Sequence, residues 1–342
     1  MRAALVVFGY ALAWAAPANA VAHAPGTAAI TANELAVIVN DVDRLSVAIG
    51  EYYRGKRGIP PENVIHVRFD ATHEALSESQ FAKLYGEVRA RTPPGVQAYA
   101  LTWTSPYRVD CMSITTAFAM GFDAAFCSKG CEPTRRSPYF NADSHRPFTD
   151  LALRPTMSIA AENFTRAREL IDRGVVSDGT APQGTGYLVS TDDVARNVRA
   201  AGYGDAALMV KGAIRLEVVK APALENKQDV LFYFIGAATV AKLDTNRFLP
   251  GAVADHLTSF GGDLNGRGQM SSLRWLEAGA TGSYGTVAEP CNFPAKFPNP
   301  GMLMRRYVAG ETLIEAYWKS VAMPGQGIFI GEPLANPYGA RR

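Results

Sequence analysis

Apolar runs of strand length alternate along this chain with amphipathic segments of helical length. ELAVIVN at 34–40 is a continuous apolar run that ends at an Asn-Asp pair. Residues 43–58 follow with apolar side chains at helical spacing and end at Gly58, and NVIHVRF at 63–69 is a second apolar run. Continuous apolar runs are typical of strands buried on both faces, and strands separated by helices pair in parallel through right-handed crossovers. The order predicts a parallel sheet flanked by helices.

The alternation continues to the carboxyl end of the chain, with one interruption at 110–150. Before the interruption we predict a second helix at 77–94 and a third strand at 96–109. After it, the strongly apolar run at 229–240 predicts a central strand, and residues 299–321 have the pattern of one long helix. The predicted fold is therefore α/β, with a predominantly parallel, doubly wound sheet.

The interruption at 110–150 holds cysteines, aromatic residues and turn formers, and we interpret it as a Cys-rich loop insert at the carboxyl edge of the sheet. Three of the four cysteines lie here, Cys111, Cys127 and Cys131. The spacing of Cys127 and Cys131 suits a small loop disulfide. A metal site needs three or four ligands, which would require Cys111 and His145 as well. We expect at least one disulfide in the insert and no metal.

The amino terminus has the three-part pattern of a secretory signal peptide. Arg2 supplies positive charge, residues 3–16 are apolar, and Ala18-Asn19-Ala20 is a small-x-small cleavage site. The apolar stretch is too short to span a membrane. The predicted organisation has three parts: a signal peptide at 1–20, a tether of small residues at 21–33 and a single α/β domain at 34–342. We therefore expect an exported protein, periplasmic or extracellular, and cysteines suit such an oxidising compartment.

The charge balance argues against nucleic acid as a partner. The chain has 34 Lys and Arg against 32 Asp and Glu, a formal net charge of +2, and no basic run longer than a pair of arginines. Binding to nucleic acid depends on a patch that neutralises phosphates. The sequence has no P-loop, no G-x-S-x-G elbow and no H-E-x-x-H motif, so we expect no cofactor. We expect a small molecule or a peptide as the ligand. We also expect the chain to have no integral membrane segment.

Six motifs carry a resemblance to known proteins over most of residues 34–338. They are ELAVIVN, YYRGKRGIPPENV, LTWTSPYRV, ADHLTSFGG, GSYGTVAEP and FIGEPLANPY. The set resembles a family of exported bacterial proteins without an assigned activity. The carboxyl third also resembles the gingipain-like cysteine peptidases of the caspase–gingipain clan. This resemblance implies the caspase–gingipain fold.

The chemistry of that clan requires a His-Gly pair at one strand end and a cysteine at the next. The imidazole activates the thiolate, and backbone amides stabilise the oxyanion. In this sequence the corresponding strand ends carry Ile235-Gly236 and His256. The dyad is therefore not preserved position by position. The resemblance then implies a ligand- or partner-binding relative of the peptidases.

A rearranged nucleophile and base is the alternative, and it makes the protein an exported hydrolase. His256 and Cys291 end consecutive predicted strands, where a thiolate–imidazole pair supported by Asp255 or Glu289 is a candidate catalytic site. Neighbouring residues on a strand point to opposite faces, which argues against a direct relay from Asp255 to His256. Two other interpretations stay open: Cys291 pairs with Cys111, and His256 is a hydrogen-bonded turn residue.

The motif LTWTSPYRV supplies the candidate substrate-binding residues. Thr104, Tyr107 and Arg108 lie at the end of an apolar predicted strand, and Glu289 ends another. A guanidinium at such an edge binds a carboxylate or phosphate through two hydrogen bonds. The alternative is an ion pair between Arg108 and an acid of the loop insert.

The leader gives a prediction that export itself tests. Because signal peptidase cleaves after a small-x-small sequence, protein recovered after export is expected to begin near Val21. Mass spectrometry of the intact protein measures this directly. Exported material that still begins at Met1 would contradict the signal peptide.

Overall fold

The computed structural model describes residues 29–128, 130–266 and 268–340. The predicted signal peptide lies outside the described residues, as does most of the tether. The strands are β1 (Leu35–Asn40), β2 (Val64–Val67), β3 (Ala75–Leu76), β4 (Ala98–Leu101), β5 (Arg108–Val109), β6 (Met112–Ser113), β7 (Thr156–Ser158), β8 (Thr185–Ser190), β9 (Arg215–Lys220), β10 (Val230–Gly236), β11 (Phe248–Leu257), β12 (Gly282–Thr286) and β13 (Gly327–Gly331). The α-helices are α1 (Arg44–Arg57), α2 (Glu78–Arg91), α3 (Ile114–Met120), α4 (Pro147–Leu151), α5 (Phe164–Ser177), α6 (Tyr203–Met209), α7 (Leu273–Glu277), α8 (Pro300–Val308) and α9 (Leu313–Ser320).

Ten strands form one sheet in the order β2-β1-β4-β7-β13-β12-β11-β10-β8-β9. The pairs are parallel through β2-β1-β4-β7 and through β12-β11-β10-β8-β9. Strand β13 runs antiparallel to β12. The short strands β3, β5 and β6 form a separate small sheet. The prediction of an α/β fold with a predominantly parallel sheet and flanking helices is confirmed. In the part of the chain that the structure describes, none of the helices combines the length and the apolar character needed to cross a membrane.

The last strand joins the two halves of the large sheet. Strands β1, β2, β4 and β7 come from the first half of the chain, and β8 to β12 come from the second. Strand β13 lies between them, with Ile330 paired to Ser158 of β7 and to Ser283 of β12. The sheet is therefore continuous only when the carboxyl end of the chain is in place.

Two predicted elements are each divided in the structure. The strand predicted at 96–109 ends at Leu101, and its last two residues form β5 of the small sheet. The irregular segment between them contains Pro106, which has no backbone N–H for a ladder. The helix predicted at 299–321 is α8 followed by α9. It breaks at Gly310, which has a φ of 93°, and α9 begins afresh at a capping box formed by Thr312 and Glu315.

The insert at 110–150 contains β6, α3 and α4 and is fixed by two disulfides. Cys111 is bonded to Cys127, with Cα atoms 5.6 Å apart, and Cys131 to Cys291, with Cα atoms 5.4 Å apart. A disulfide within the insert is thus confirmed. The loop disulfide suggested by the spacing of Cys127 and Cys131 is wrong, and so is the alternative pairing of Cys291 with Cys111. The chain after α3 returns Cys127 to Cys111, which leaves Cys131 beside the turn that follows β12.

A buried carboxylate fixes the end of β13 to the first helix of the chain. Glu332 is fully buried and accepts hydrogen bonds from the hydroxyl of Tyr53 at 2.6 Å and from Nε of Arg57 at 3.0 Å. Arg57 also forms an ion pair with Asp178, which follows α5. Buried charges are tolerated when they are paired and hydrogen-bonded, as they are here. The network therefore joins α1, the end of α5 and the final strand.

A second buried carboxylate anchors the first described residues. Glu315 of α9 is fully buried and accepts hydrogen bonds from the backbone N–H of Ile30 at 3.1 Å and from Nδ1 of His145 at 2.8 Å. Ile30 is itself buried. The end of the predicted tether, residues 29–33, is therefore packed against the carboxyl-terminal helix.

The Glu332 network predicts a large loss of stability on truncation. Glu332→Ala leaves the buried guanidinium of Arg57 without its main partner, and we expect the free energy of unfolding to fall by about 3–5 kcal/mol. Glu169→Ala removes an exposed ion pair with Arg166 and is expected to cost less than about 1 kcal/mol. Urea denaturation of both variants measures the difference. Equal costs would contradict the structural role given to Glu332.

Candidate functional site

A cavity of about 860 Å3 lies at the carboxyl edge of the sheet. Its lining comes from the segments that follow β1, β2, β4 and β7, and from residues 264–277, which follow β11. Parallel strands bring their carboxyl ends to one edge, and α/β proteins bind ligands at such an edge. We call this cavity the edge crevice.

Carboxylates dominate the charge of the edge crevice. The lining residues that the structure describes include one guanidinium, that of Arg274, which pairs with Glu277, and four carboxylates, those of Asp43, Asp70, Glu162 and Glu277. Hydrogen bonds from the side chain and backbone of Thr72 lower the pKa of Asp70 and keep it ionised. No group of His, Cys, Asp and Glu within 29–128, 130–266 or 268–340 is arranged to hold a metal ion. The crevice is therefore an acidic cleft.

Of the predicted binding residues, Thr104 lines the crevice. Its Oγ1 donates to the carbonyl of Ala161 at 2.9 Å and accepts from the N–H of Ala161 at 3.1 Å. These bonds join the segments that follow β4 and β7. The hydroxyl of Thr104 therefore shapes the crevice wall.

Tyr107 and Arg108 lie on and beside β5 and are bonded to carboxylates of the chain. Arg108 donates to Glu74 at 2.8 Å, so the ion-pair interpretation holds, although the acid follows β2 and is not part of the insert. The hydroxyl of Tyr107 lies 3.0 Å from carboxylate oxygens of both Glu74 and Asp263. Burial, with the negative charge of Asp263, raises the pKa of Tyr107 to about 12. These side chains fix the small sheet to the loop after β11.

His256 is buried on β11, and the structure corrects its prediction as a base. Its Nε2–H donates to the carbonyl of Met270 at 3.0 Å, and its Nδ1 accepts from the indole N–H of Trp275 at 2.9 Å. Burial lowers the pKa of His256 to about 4; the bond to Met270 opposes this shift, and the positive charges of Arg199 and Arg196 add to it. Both ring nitrogens are occupied, so the imidazole is neutral and has no free lone pair.

Asp255 points to the opposite face of β11 and forms a buried ion pair. Its carboxylate lies 2.6 Å from Nη1 of Arg199, without the alignment of a hydrogen bond. Burial raises the pKa of Asp255, and the positive charge of Arg199 opposes that rise. Asp255 therefore has no contact with the His256 ring that would make it a catalytic support.

Cys291 cannot act as the predicted nucleophile, because its sulfur is bonded to Cys131. A disulfide sulfur offers no thiolate. Glu289 lies on the exposed turn beside it, and its Oε1 accepts from the N–H of Cys291 at 2.7 Å. The rearranged pair of His256 and Cys291 is therefore not formed.

The stretch ADHLTSFGG positions one wall of the edge crevice. His256 holds Met270, and Oγ1 of Thr258 donates to Oε1 of Gln269 at 2.8 Å. These anchors fix the start of the segment whose later residues, Ser271 and Arg274 among them, line the crevice. His256 is a positioning residue for that wall.

The carboxylates of the crevice are absent from the predicted site, although the sequence contains a signal for them. Asp43, Asp70 and Glu162 each lie within a few residues of the carboxyl end of a strand. The wall residues after β11 carry no such signal, because their place depends on contacts with His256 and Thr258.

The comparisons with known proteins bear on the fold. No protein-family model matches the sequence, and a search of curated proteins found no match. Among solved structures, the chain is similar to the complex of the pro- and mature domains of RgpB from Porphyromonas gingivalis, with a TM-score of 0.51 and 9% identity over 89% of this chain and 79% of that one. A second structure, titled a protease, has a TM-score of 0.45 and 11% identity over 91% of this chain and 80% of that one. The chain thus has a gingipain-like α/β fold, and the resemblance to the caspase–gingipain clan is confirmed for the fold.

The environment of His256 predicts a specific dependence of stability on pH. The pKa is about 4 in the folded protein and about 6.5 in an unfolded chain. The stabilising contribution of the neutral ring is therefore complete above about pH 6.5 and is lost as the pH falls towards 4, by about 3 kcal/mol. Urea denaturation at several pH values should show this loss in the wild type.

Two variants isolate the contribution of His256. His256→Gln is expected to lower the stability at pH 7 and to flatten its decline between pH 6.5 and 4. His73→Gln replaces a histidine whose side chain is 77% exposed and should leave the wild-type profile unchanged. An NMR titration that places the His256 ring near its ordinary pKa would be incompatible with the buried neutral form.

Proposed function

We propose that the protein binds a ligand in the edge crevice and does not act as a cysteine peptidase. One observation carries the proposal: a cleft of about 860 Å3 opens where five strands end, at the edge that α/β proteins use for ligands. The volume lies within the range of small-ligand pockets. The protein thus keeps the gingipain-like fold and uses the edge crevice to bind a ligand.

The state of the candidate catalytic residues supports binding over hydrolysis. Nucleophilic catalysis needs a thiolate or hydroxyl with a base in hydrogen-bond reach. His256 uses both nitrogens within the fold, and Cys291 is in a disulfide. None of the crevice residues in the described ranges is a histidine or a cysteine.

The charge of the crevice indicates a ligand with a positive group. The lining carries four carboxylates and one guanidinium, which is already paired with Glu277. Such a field concentrates cations and repels anions. Leu45, Leu264 and Leu273 add apolar surface to the lining. A basic peptide segment or an organic cation with an apolar part fits both properties.

The two disulfides support an oxidising place of action. Cys111–Cys127 and Cys131–Cys291 account for all four cysteines. Disulfides persist in the periplasm and outside the cell and are rare in the cytosol. We therefore propose that the mature protein works after export.

Fluorescence anisotropy with fluorescein-labelled tri-lysine tests the proposal. Glu162→Gln removes an exposed carboxylate of the crevice, and we expect the Kd for tri-lysine to rise about three- to tenfold. Glu51→Gln, an exposed carboxylate on α1 outside the crevice, is the matched control and should leave Kd unchanged. Binding should also weaken at high salt.

Two results would count against the proposed function. Equal binding of labelled tri-glutamate, or equal effects of the two variants, would contradict a cationic ligand in the crevice. Hydrolysis of a fluorogenic peptide by the wild type that disappears in Cys291→Ser would restore the cysteine mechanism.

A further inference from the structure

A second cavity, of about 350 Å3, lies between four segments that are distant in sequence. Its walls are the turn at 197–202, the segment 294–300, the end of α9 and residues of the loop insert. We call it the clamped pocket. We propose that it binds a small organic anion with an apolar body, such as an aromatic carboxylate.

The lining of the clamped pocket suits an apolar body. Phe140 and Phe297 contribute aromatic rings, and prolines, alanines and Val198 make up most of the remainder. Small-molecule pockets have this composition, with a few polar groups that fix orientation. A flat ring with a short side chain fits the volume.

Two guanidiniums supply the charge. Arg199 and Arg136 line the pocket, and no carboxylate among the described residues does so. Arg199 is 5% exposed, and its Nε has no hydrogen-bond partner in the described part of the chain. The carboxylate of Asp255 balances Arg199 from within the fold. A positive charge therefore remains at the pocket.

Arg136 is the residue that supplies this remaining charge. Arg136 is exposed, its guanidinium lies 5.3 Å from the centre of the Phe140 ring, and it forms no ion pair with the residues that the structure describes. An arginine free of a protein partner binds a carboxylate with paired, charge-assisted hydrogen bonds. The neighbouring ring would lie against the apolar part of the ligand.

The walls are fixed before any ligand arrives. The Cys131–Cys291 disulfide joins the insert, which carries Arg136, to the chain just before the 294–300 segment. The N–H of Asn299 donates to the carbonyl of Ser320 at 2.9 Å, which ties that segment to the end of α9. A preformed pocket binds without the cost of ordering its walls.

The clamped pocket and the edge crevice share no lining residue among those described. The crevice carries mostly carboxylates and the clamped pocket carries guanidiniums, so the two cavities select ligands of opposite charge and are tested separately.

Isothermal titration calorimetry of the oxidised protein with phenylacetate tests the inference, and phenylacetamide is the neutral probe of the same shape. We expect saturable binding of phenylacetate and at least about tenfold weaker binding of phenylacetamide. Arg136→Gln should weaken phenylacetate binding by about tenfold. Arg135→Gln is the matched control, since Arg135 pairs with Asp123 away from the pocket, and it should change Kd by less than about twofold.

A second test fills the clamped pocket with a bulky side chain and leaves the charge of its lining unchanged. Ala201 lies exposed at the pocket rim, so Ala201→Trp is expected to fold and to abolish phenylacetate binding. Glu162→Gln in the edge crevice should leave phenylacetate binding unchanged. No saturable binding up to about 10 mM, equal affinity for phenylacetamide, or equal effects of Arg135→Gln and Arg136→Gln would overturn the proposal.

Discussion

The buried carboxylate of Glu332 holds the last strand in the position that makes the sheet continuous. Strand β13 is the link between the two halves of the sheet, and Glu332 follows it directly, bonded to Tyr53 and Arg57 of the first helix. The first and last parts of the folded chain are thus stabilised by one ionic network. The strand ends that surround the edge crevice come from both halves, so the crevice depends on the same contact.

Strand β11 serves both cavities through the alternation of its side chains. Asp255 points to one face and balances Arg199, which lines the clamped pocket. His256 points to the other face and holds Met270, at the start of the crevice wall. The most polar pair in the motif ADHLTSFGG thus consists of structural residues for two sites. Burial disfavours an unpaired charge. The imidazole of His256 is therefore neutral, and the carboxylate of Asp255 is paired with Arg199.

The sequence was sufficient for the alternation of strands and helices and for the class of fold, because the period of the hydrophobic residues reports burial directly. The divided helix at 299–321 shows the limit: the apolar spacing runs through Gly310, and only the capping box of Thr312 marks a new start. Disulfide pairing and the partners of His256 depend on distances between remote segments, which spacing does not contain. The carboxylates of the crevice were within reach, since they follow strand ends, whereas the clamped pocket combines four segments that no local pattern connects.

The order of the disulfides along the chain affects how the protein matures. The first cysteine pairs with the second and the third with the fourth, although 160 residues separate Cys131 from Cys291. In a chain that crosses a membrane amino end first, Cys111, Cys127 and Cys131 emerge well before Cys291, and pairing of Cys111 with Cys127 leaves Cys131 without a partner. Cys131 then remains reduced until Cys291 follows. In the export proposed above, an oxidase that links each cysteine to the next free one forms the native pairs in chain order, without rearrangement by a disulfide isomerase.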